Sequence, residues 1–129
     1  MKYFTKLIVV TKEDLDDLDH VNNVRYIQWV QDIAKEHWQA EATAQMLNNY
    51  IWMVRTNYIE YKGQAFQGET LTLKTFIKEA SGAISVRVVE IYHQDSQKLI
   101  LRSTAEWCLI DKHSKRVTRL TKELTNLFT

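Results

Sequence analysis

Residues 14–23 read DLDDLDHVNN, with four aspartates, one histidine and two asparagines in ten positions. Three kinds of chemistry are open to such a run. A calcium loop of the EF-hand type needs oxygen ligands at positions one, three and five, glycine at six and glutamate at twelve. Counted from Asp14, those positions hold Asp14, Asp16, Leu18, Asp19 and Arg25, so the pattern fails. Zinc calls for several His or Cys at close spacing, and His20 has no such neighbour. The second possibility is structural: acidic residues placed against the positive end of a helix, or simply facing water. The third is catalytic. Amides in the first turn of a helix have no intrahelical acceptor and can stabilise a developing oxyanion. An aspartate at that junction can act as general base or nucleophile, and a nearby histidine can position water or move a proton. This combination suits acyl transfer without singling it out.

The flanking segments decide what holds the run in place. KYFTKLIVV (2–10) ends in β-branched residues and reads as a strand. After the run, Tyr26, Ile27, Val30, Ile33, Ala34, His37 and Trp38 recur at three- and four-residue steps, the apolar stripe of a helix. Asn22 or Asn23 is the natural N-cap, and Asn48 and Asn49 suit the far end. If continuous, that helix has about 24 residues and a length of roughly 36 Å. Strands are expected at 50–61, 69–78, 83–93 and 98–111, joined by short turns at Lys62-Gly63, Gln67-Gly68, Ser81-Gly82 and Asp95-Ser96. Short joins imply antiparallel hairpins. The basic piece KRVTRL (115–120) and a helical turn near 121–127 close the chain. One long amphipathic helix buries its stripe only against a sheet, so the class is α+β.

Composition narrows the function classes. The chain has 129 residues, 17 basic and 16 acidic side chains, and a formal charge of +1, without the basic excess of a dedicated nucleic-acid binder. No apolar run is long enough to span a bilayer, and the first residues lack the long apolar core and cleavage site of a signal peptide. Proline is absent, glycine occurs three times, and no linker or repeat is evident, so one domain over 1–129 is expected. The single cysteine, Cys108, fits a reducing compartment, and a cytoplasmic location is expected.

The stretch D-L-D-D-L-D-H-V-N-N-V-R-Y (14–26) resembles D-x-D-x-x-G-H-V-N-N-x-x-Y of the hotdog-fold thioesterases. These are the acyl-CoA and acyl-carrier-protein thioesterases of the 4-hydroxybenzoyl-CoA thioesterase type. Tyr61, Gly68-Glu69 and LIDKHSKRVTRL add weaker agreement, and the likeness runs over nearly the whole chain. It implies a hotdog fold, with the long helix wrapped by a curved antiparallel sheet of five or six strands. It also implies hydrolysis of an acyl thioester to a carboxylic acid and a free thiol, no metal or redox cofactor, and a homodimer or dimer-of-dimers tetramer with sites at subunit boundaries. By position, Asp16 falls on the family's catalytic aspartate, and His20 and Asn22 fall on assisting polar positions. The backbone N–H of Asn23 falls where one branch polarises the thioester carbonyl, and Tyr26 falls where the acyl group is lined. Asp19 departs from the pattern, standing where the family has glycine; its side chain could alter the loop or perturb Asp16 and His20.

The other candidates read more plainly. Cys108 is expected to be a buried structural thiol and His37 a packed residue, with His93 and His113 in solvent. The four tryptophans read as core or subunit contacts, with Trp52 a further candidate wall for an acyl channel. Lys112, Lys115, Arg116, Arg119 and Lys122 form either a solvated face or a seat for CoA phosphates or an acidic carrier protein. Two rivals to hydrolysis are a hydratase, which needs D-x-N-P-x-H and finds Leu15 five before His20, and a non-catalytic module binding acyl-CoA or acyl-carrier-protein through the same fold.

Overall fold

A computed structural model describes residues 1–129. The chain runs β1 (Phe4–Val9), a 3₁₀ turn (Lys12–Asp14), α1 (Asn23–Glu41), α2 (Ala44–Asn49), β2 (Tyr50–Tyr61), β3 (Thr70–Ser81), β4 (Ile84–His93), β5 (Leu99–Asp111) and α3 (Lys122–Asn126). The five strands form one antiparallel sheet in the order β1-β3-β4-β5-β2. Register shifts interrupt β2 between Val54 and Thr56, β3 between Ile77 and Glu79, and the β4–β5 pairing at Ile91/Tyr92. Irregularities of this kind add twist and let the sheet curve around a helix. Gly82, at φ +63°, opens the two-residue turn between β3 and β4, where a positive φ matches the strand twist.

The helical stripe packs as its spacing predicts. Tyr26, Trp29, Val30 and Ile33 of α1 join Leu71 and Leu73 of β3, Val89 and Ile91 of β4, and Ile100 and Leu101 of β5 in the main core. Burial of such side chains supplies about 1.5–3 kcal/mol each before entropy opposes it. A smaller cluster gathers Trp38, Met46, Leu109, Leu124 and Phe128 at the other end of the helix, so α3 is what closes that end.

The one long helix of the fold is α1, and it does not run on to Asn48 and Asn49. α1 has 19 residues, roughly 28 Å, and stops at Glu41; Ala42 is extended, and Thr43 caps α2 by accepting from the Met46 N–H at 3.1 Å. The break lets α2 turn its one buried residue, Met46, into the second cluster. Cys108 is also corrected: it is half-buried, opposite Met53 on β2 and Ile84 on β4. His93 is half-buried too, with Nδ1 3.4 Å from a carboxylate oxygen of Glu69. His37 is packed, fully buried on the stripe, and His113 is exposed. No helix is long and apolar enough to cross a membrane.

Candidate active site

The polar run folds into a small closed loop. Leu15 and Val21 bridge in antiparallel fashion, the Asp16 N–H donates to the His20 carbonyl at 2.7 Å, and the Asp19 N–H donates to the Asp16 carbonyl at 3.1 Å. Asp19 completes the turn at φ +61°, the left-handed conformation that suits glycine. Aspartate is among the few other residues that visit it readily. The loop therefore holds at Asp19 a conformation that glycine would also accept.

The four aspartates have separate surroundings. Asp14 is buried; one carboxylate oxygen lies 2.9 Å from Nε of Arg25, and the other accepts from the Thr11 N–H at 2.8 Å and hydroxyl at 3.1 Å. Its carbonyl accepts from the Asn22 N–H at 2.8 Å, so Asp14 holds both ends of the loop. In Asp16, Oδ1 accepts from the N–H groups of Leu18 at 2.9 Å and His20 at 3.1 Å, while Oδ2 has no partner. Asp17 and Asp19 are exposed and form no ion pair.

Asn22 is the helix cap. Its backbone is extended, its side-chain oxygen accepts from the Val24 N–H at 2.9 Å, and its carbonyl accepts from Arg25 and Tyr26. The next N–H, that of Asn23, is left without an intramolecular acceptor. The Asn23 side-chain oxygen accepts from the Tyr61 hydroxyl, which ties the start of α1 to the end of β2. The link continues through Val21, whose N–H donates to the Ala65 carbonyl at 3.3 Å.

Between loop, helix start and strand end lies a cleft of about 220 Å³ lined by Asp16, His20, Val21, Asn23, Tyr26, Tyr61, Gly63 and Gln64. Asp16, His20, Asn23 and Tyr26 thus line one cleft, whereas the Asn22 side chain is spent on the cap and does not line it. The His20 imidazole packs edge-on against Phe66, with ring centres 5.4 Å apart, and does not hydrogen-bond to the Asp16 carboxylate. Tyr26 is almost wholly buried, edge-on to Trp29 and tilted against Tyr61. Burial pushes its phenol up to about 12; a weak backbone contact at Ala65 opposes this but lacks the geometry of a full hydrogen bond. Burial likewise raises the Tyr61 phenol, against the opposing hydrogen bond to Asn23. Gly63 and Gln64 escaped sequence reasoning, since nothing in their local pattern ties them to residues 40 positions earlier. No group of three or more His, Cys, Asp or Glu is placed to hold a metal ion.

The model of the acyl-ACP thioesterase N-terminal domain matches residues 2–128. The chain belongs to that family. Acyl thioester hydrolysis, the activity in the family's name, is the activity of this chain. No curated protein matches the sequence at a significant level. Among solved structures, a 4-hydroxybenzoyl-CoA thioesterase variant complexed with 4-hydroxybenzoyl-CoA is similar at TM-score 0.89 and 12% identity, covering 100% of both chains. The 1,4-dihydroxy-2-naphthoyl-CoA thioesterase of Synechocystis is similar at TM-score 0.82 and 17% identity, covering 98% of this chain and 95% of that one. The 12:0-ACP thioesterase of Umbellularia californica is similar at TM-score 0.80 and 13% identity, over 94% of this chain and 47% of its own. At such identities the likeness shows the fold, the hotdog arrangement of a helix in a curved five-stranded sheet.

Proposed function

We propose that Asp16 drives the hydrolysis from its free carboxylate oxygen, Oδ2. The observation that carries this reading is the division of labour within one carboxylate: Oδ1 is pinned by two amides and Oδ2 is unpartnered, while Asp16 and Asn23, whose N–H is open, line the same cleft. Pinning fixes the orientation of the group before substrate arrives, which is how a positioned base or nucleophile gains its advantage. Oδ2 either takes a proton from water as the water attacks the thioester carbonyl, or attacks that carbonyl itself to give a mixed anhydride that water then cleaves; either way the C–S bond breaks and the thiolate leaves, taking up a proton as free thiol. In both routes the carbonyl oxygen gains negative charge, and the Asn23 N–H, at the positive end of α1, is the donor for it. Tyr26 and Tyr61 wall the acyl group, and His20 bounds the cleft beside Phe66. Asn22 contributes by capping α1, so that the Asn23 amide stays free.

The substrate is an acyl-CoA or acyl-ACP thioester, and the working unit is a homodimer, or a tetramer built from dimers, in the cytoplasm. Support for pairing comes from β2, an edge strand of 12 residues that exposes Ile51, Met53, Val54, Tyr58 and Tyr61. An uncovered edge of that length is a template for another strand. Two-fold antiparallel pairing of β2 with its copy sets the Tyr50 end of one beside the Tyr61 end of the other. The five basic side chains from Lys112 to Lys122 are all exposed and outside any ion pair, and Lys112 lies next to the Tyr50 end. They would then face the partner's cleft, where CoA phosphates or an acidic carrier protein must dock.

The test is thiol release from acyl-CoA and acyl-ACP panels by the parent and by Asp16→Asn, with circular dichroism as the check on folding. A folded variant turning over at the parent's rate removes Asp16 from the chemistry. Light scattering that returns a single 15.3 kDa chain under assay conditions removes the dimer.

A further inference from the structure

A cavity of about 510 Å³ lies away from the cleft, and no residue lines both. It opens between the middle of α1 and the Tyr50 end of the sheet. Trp38, Trp52 and Trp107 line it with Ile77 and Phe128, and so does Arg87. Arg87 is on β4, two residues from Val89 and four from Ile91, so strand alternation points it to the apolar inner face. It is only 6% exposed.

A buried cation normally has an anion beside it, because desolvation of an unpaired charge costs several kcal/mol. Arg87 has none. One terminal nitrogen, Nη1, donates to Nδ1 of His37 at 2.9 Å and to the Thr75 hydroxyl at 3.0 Å, both neutral acceptors. Nε and the second terminal nitrogen have no acceptor in the chain, and no carboxylate pairs with the group. His37 cannot supply compensating charge: with Nδ1 accepting, its hydrogen is on Nε2, which is itself buried without a partner. Burial lowers the Arg87 pKa to about 10, which still leaves the guanidinium charged at neutral pH. Phe128 covers part of it, with the guanidinium carbon 5.4 Å from the ring centre. At the rim, Lys35 and Lys112 add positive charge against the single carboxylate of Asp32, which is occupied by Gln28 at 2.8 Å.

An aromatic-lined hollow of ligand size with an uncompensated guanidinium in its lining fits one chemistry: an apolar body ending in an anion. We propose that this cavity binds a carboxylate-bearing amphiphile, an organic acid with its carboxylate on the two free N–H edges of Arg87 and its apolar body against the three indoles. Planar guanidinium and planar carboxylate match in a two-bond pair. Within one chain the cavity shares no residue with the Asp16 cleft, and binding there stands whether or not Asp16 performs the chemistry assigned to it.

The experiment titrates the full chain with octanoate, octanol, octyl phosphate and inorganic phosphate. Tryptophan fluorescence and calorimetry provide the readouts, so binding is measured without turnover. The expected result is octanoate binding at least ten-fold tighter than octanol, with a tryptophan emission change on saturation. Arg87→Met should cut octanoate affinity about ten-fold and leave octanol unchanged, while Asp16→Asn, which tests hydrolysis, should leave octanoate binding as it was. Should Arg87→Met not fold, Trp52→Ala is the second variant, expected to weaken octanoate and octanol alike; the preference of the parent for acid over alcohol is decisive by itself. Equal affinity for octanoate and octanol, or octanoate binding untouched by Arg87→Met, overturns the proposal. Tighter binding of octyl phosphate or inorganic phosphate than of octanoate also overturns it in favour of a phosphate site. Complete failure of octanoate to bind overturns it as well, pointing to a carboxylate from a second copy of the chain as the occupant.

Discussion

At the Tyr61 end of the sheet, the charged group in the hollow is a carboxylate held by two backbone amides, with its second oxygen open. At the Tyr50 end it is a guanidinium held by a histidine and a threonine, with two donor edges open. The first sits in a loop, close to water, where a charge needs little from the protein beyond orientation. The second sits on a central strand within the core, where the charge is expensive and neutral partners do not offset it. The difference separates two uses of a fixed charge. A shallow one with a free lone pair can exchange protons or attack, whereas a deep one with free donors can only hold.

The comparison breaks most sharply at Asp16. Asp16→Asn keeps both amide acceptor contacts available and removes the reactive oxygen, so kcat should fall roughly 10²-fold or more, with the thermal midpoint near the parent's. Acyl-CoA hydrolysis rates and a melting curve on the same preparation check both halves. Asp14→Ala should do the converse. It deletes the partner of Arg25 and the Thr11 cap contact, costing about 2 kcal/mol of stability, readable by urea unfolding, with a smaller loss of kcat. An Asp14 variant that loses activity as completely as the Asp16 variant, with stability unchanged, would exchange the roles of the two residues.

The deep site makes a pH prediction. His37 is pushed down to about 4, chiefly by burial and then by the charge of Arg87, with Lys2 acting in the same sense and Glu41 opposing. In the unfolded chain an imidazole titrates near 6.5. Between those values the unfolded state binds the proton first, so this contribution to stability is complete above about 6.5 and declines as pH falls toward 4. Unfolding midpoints measured from pH 7.5 to 4 should fall, and His37→Gln, which keeps an acceptor for Arg87 but cannot titrate, should flatten part of that slope. The smallest effect is expected at Asp19→Gly: within about 0.5 kcal/mol of the parent and unchanged kcat, since the left-handed turn is already in place. A marked gain in kcat would show instead that the Asp19 charge, not its backbone, restrains the cleft.

Much of the architecture was legible because it follows from short-range pattern. The β2 boundaries at 50 and 61 came from a β-branched and aromatic run, and the α1 stripe came from three- and four-residue steps. The helix end was misread because the stripe alone does not show where a chain turns; Thr43, three residues before Met46, was the available capping signal. Within the candidate site, resemblance points to Asp16, His20, Asn22, Asn23 and Tyr26, whereas the commitment of the Asn22 side chain to the cap depends on local backbone geometry that spacing does not show. Pairing of Tyr61 with Asn23, and of Asp14 with Arg25, depends on how the strand end and helix start meet in space. Arg87 was passed over inside ISVRVVEIY, although its alternation with Val89 and Ile91 places a charge on the inner face.

The sheet order also has a consequence for how this protein is made. β2 is paired only with β5, and Tyr50 lies opposite Asp111, about 60 residues later in the chain. At ribosomal speeds of about 5–20 residues per second, β2 emerges roughly 3–12 s before the end of its partner. During that interval its 12 residues, with both backbone edges unpaired and apolar side chains exposed, form the most adhesive stretch of the nascent chain. β3 and β4 are joined by the two-residue Gly82 turn and pair locally, so the sheet grows from its middle while β2 waits. Chaperone dependence during synthesis should therefore concentrate on residues 50–61.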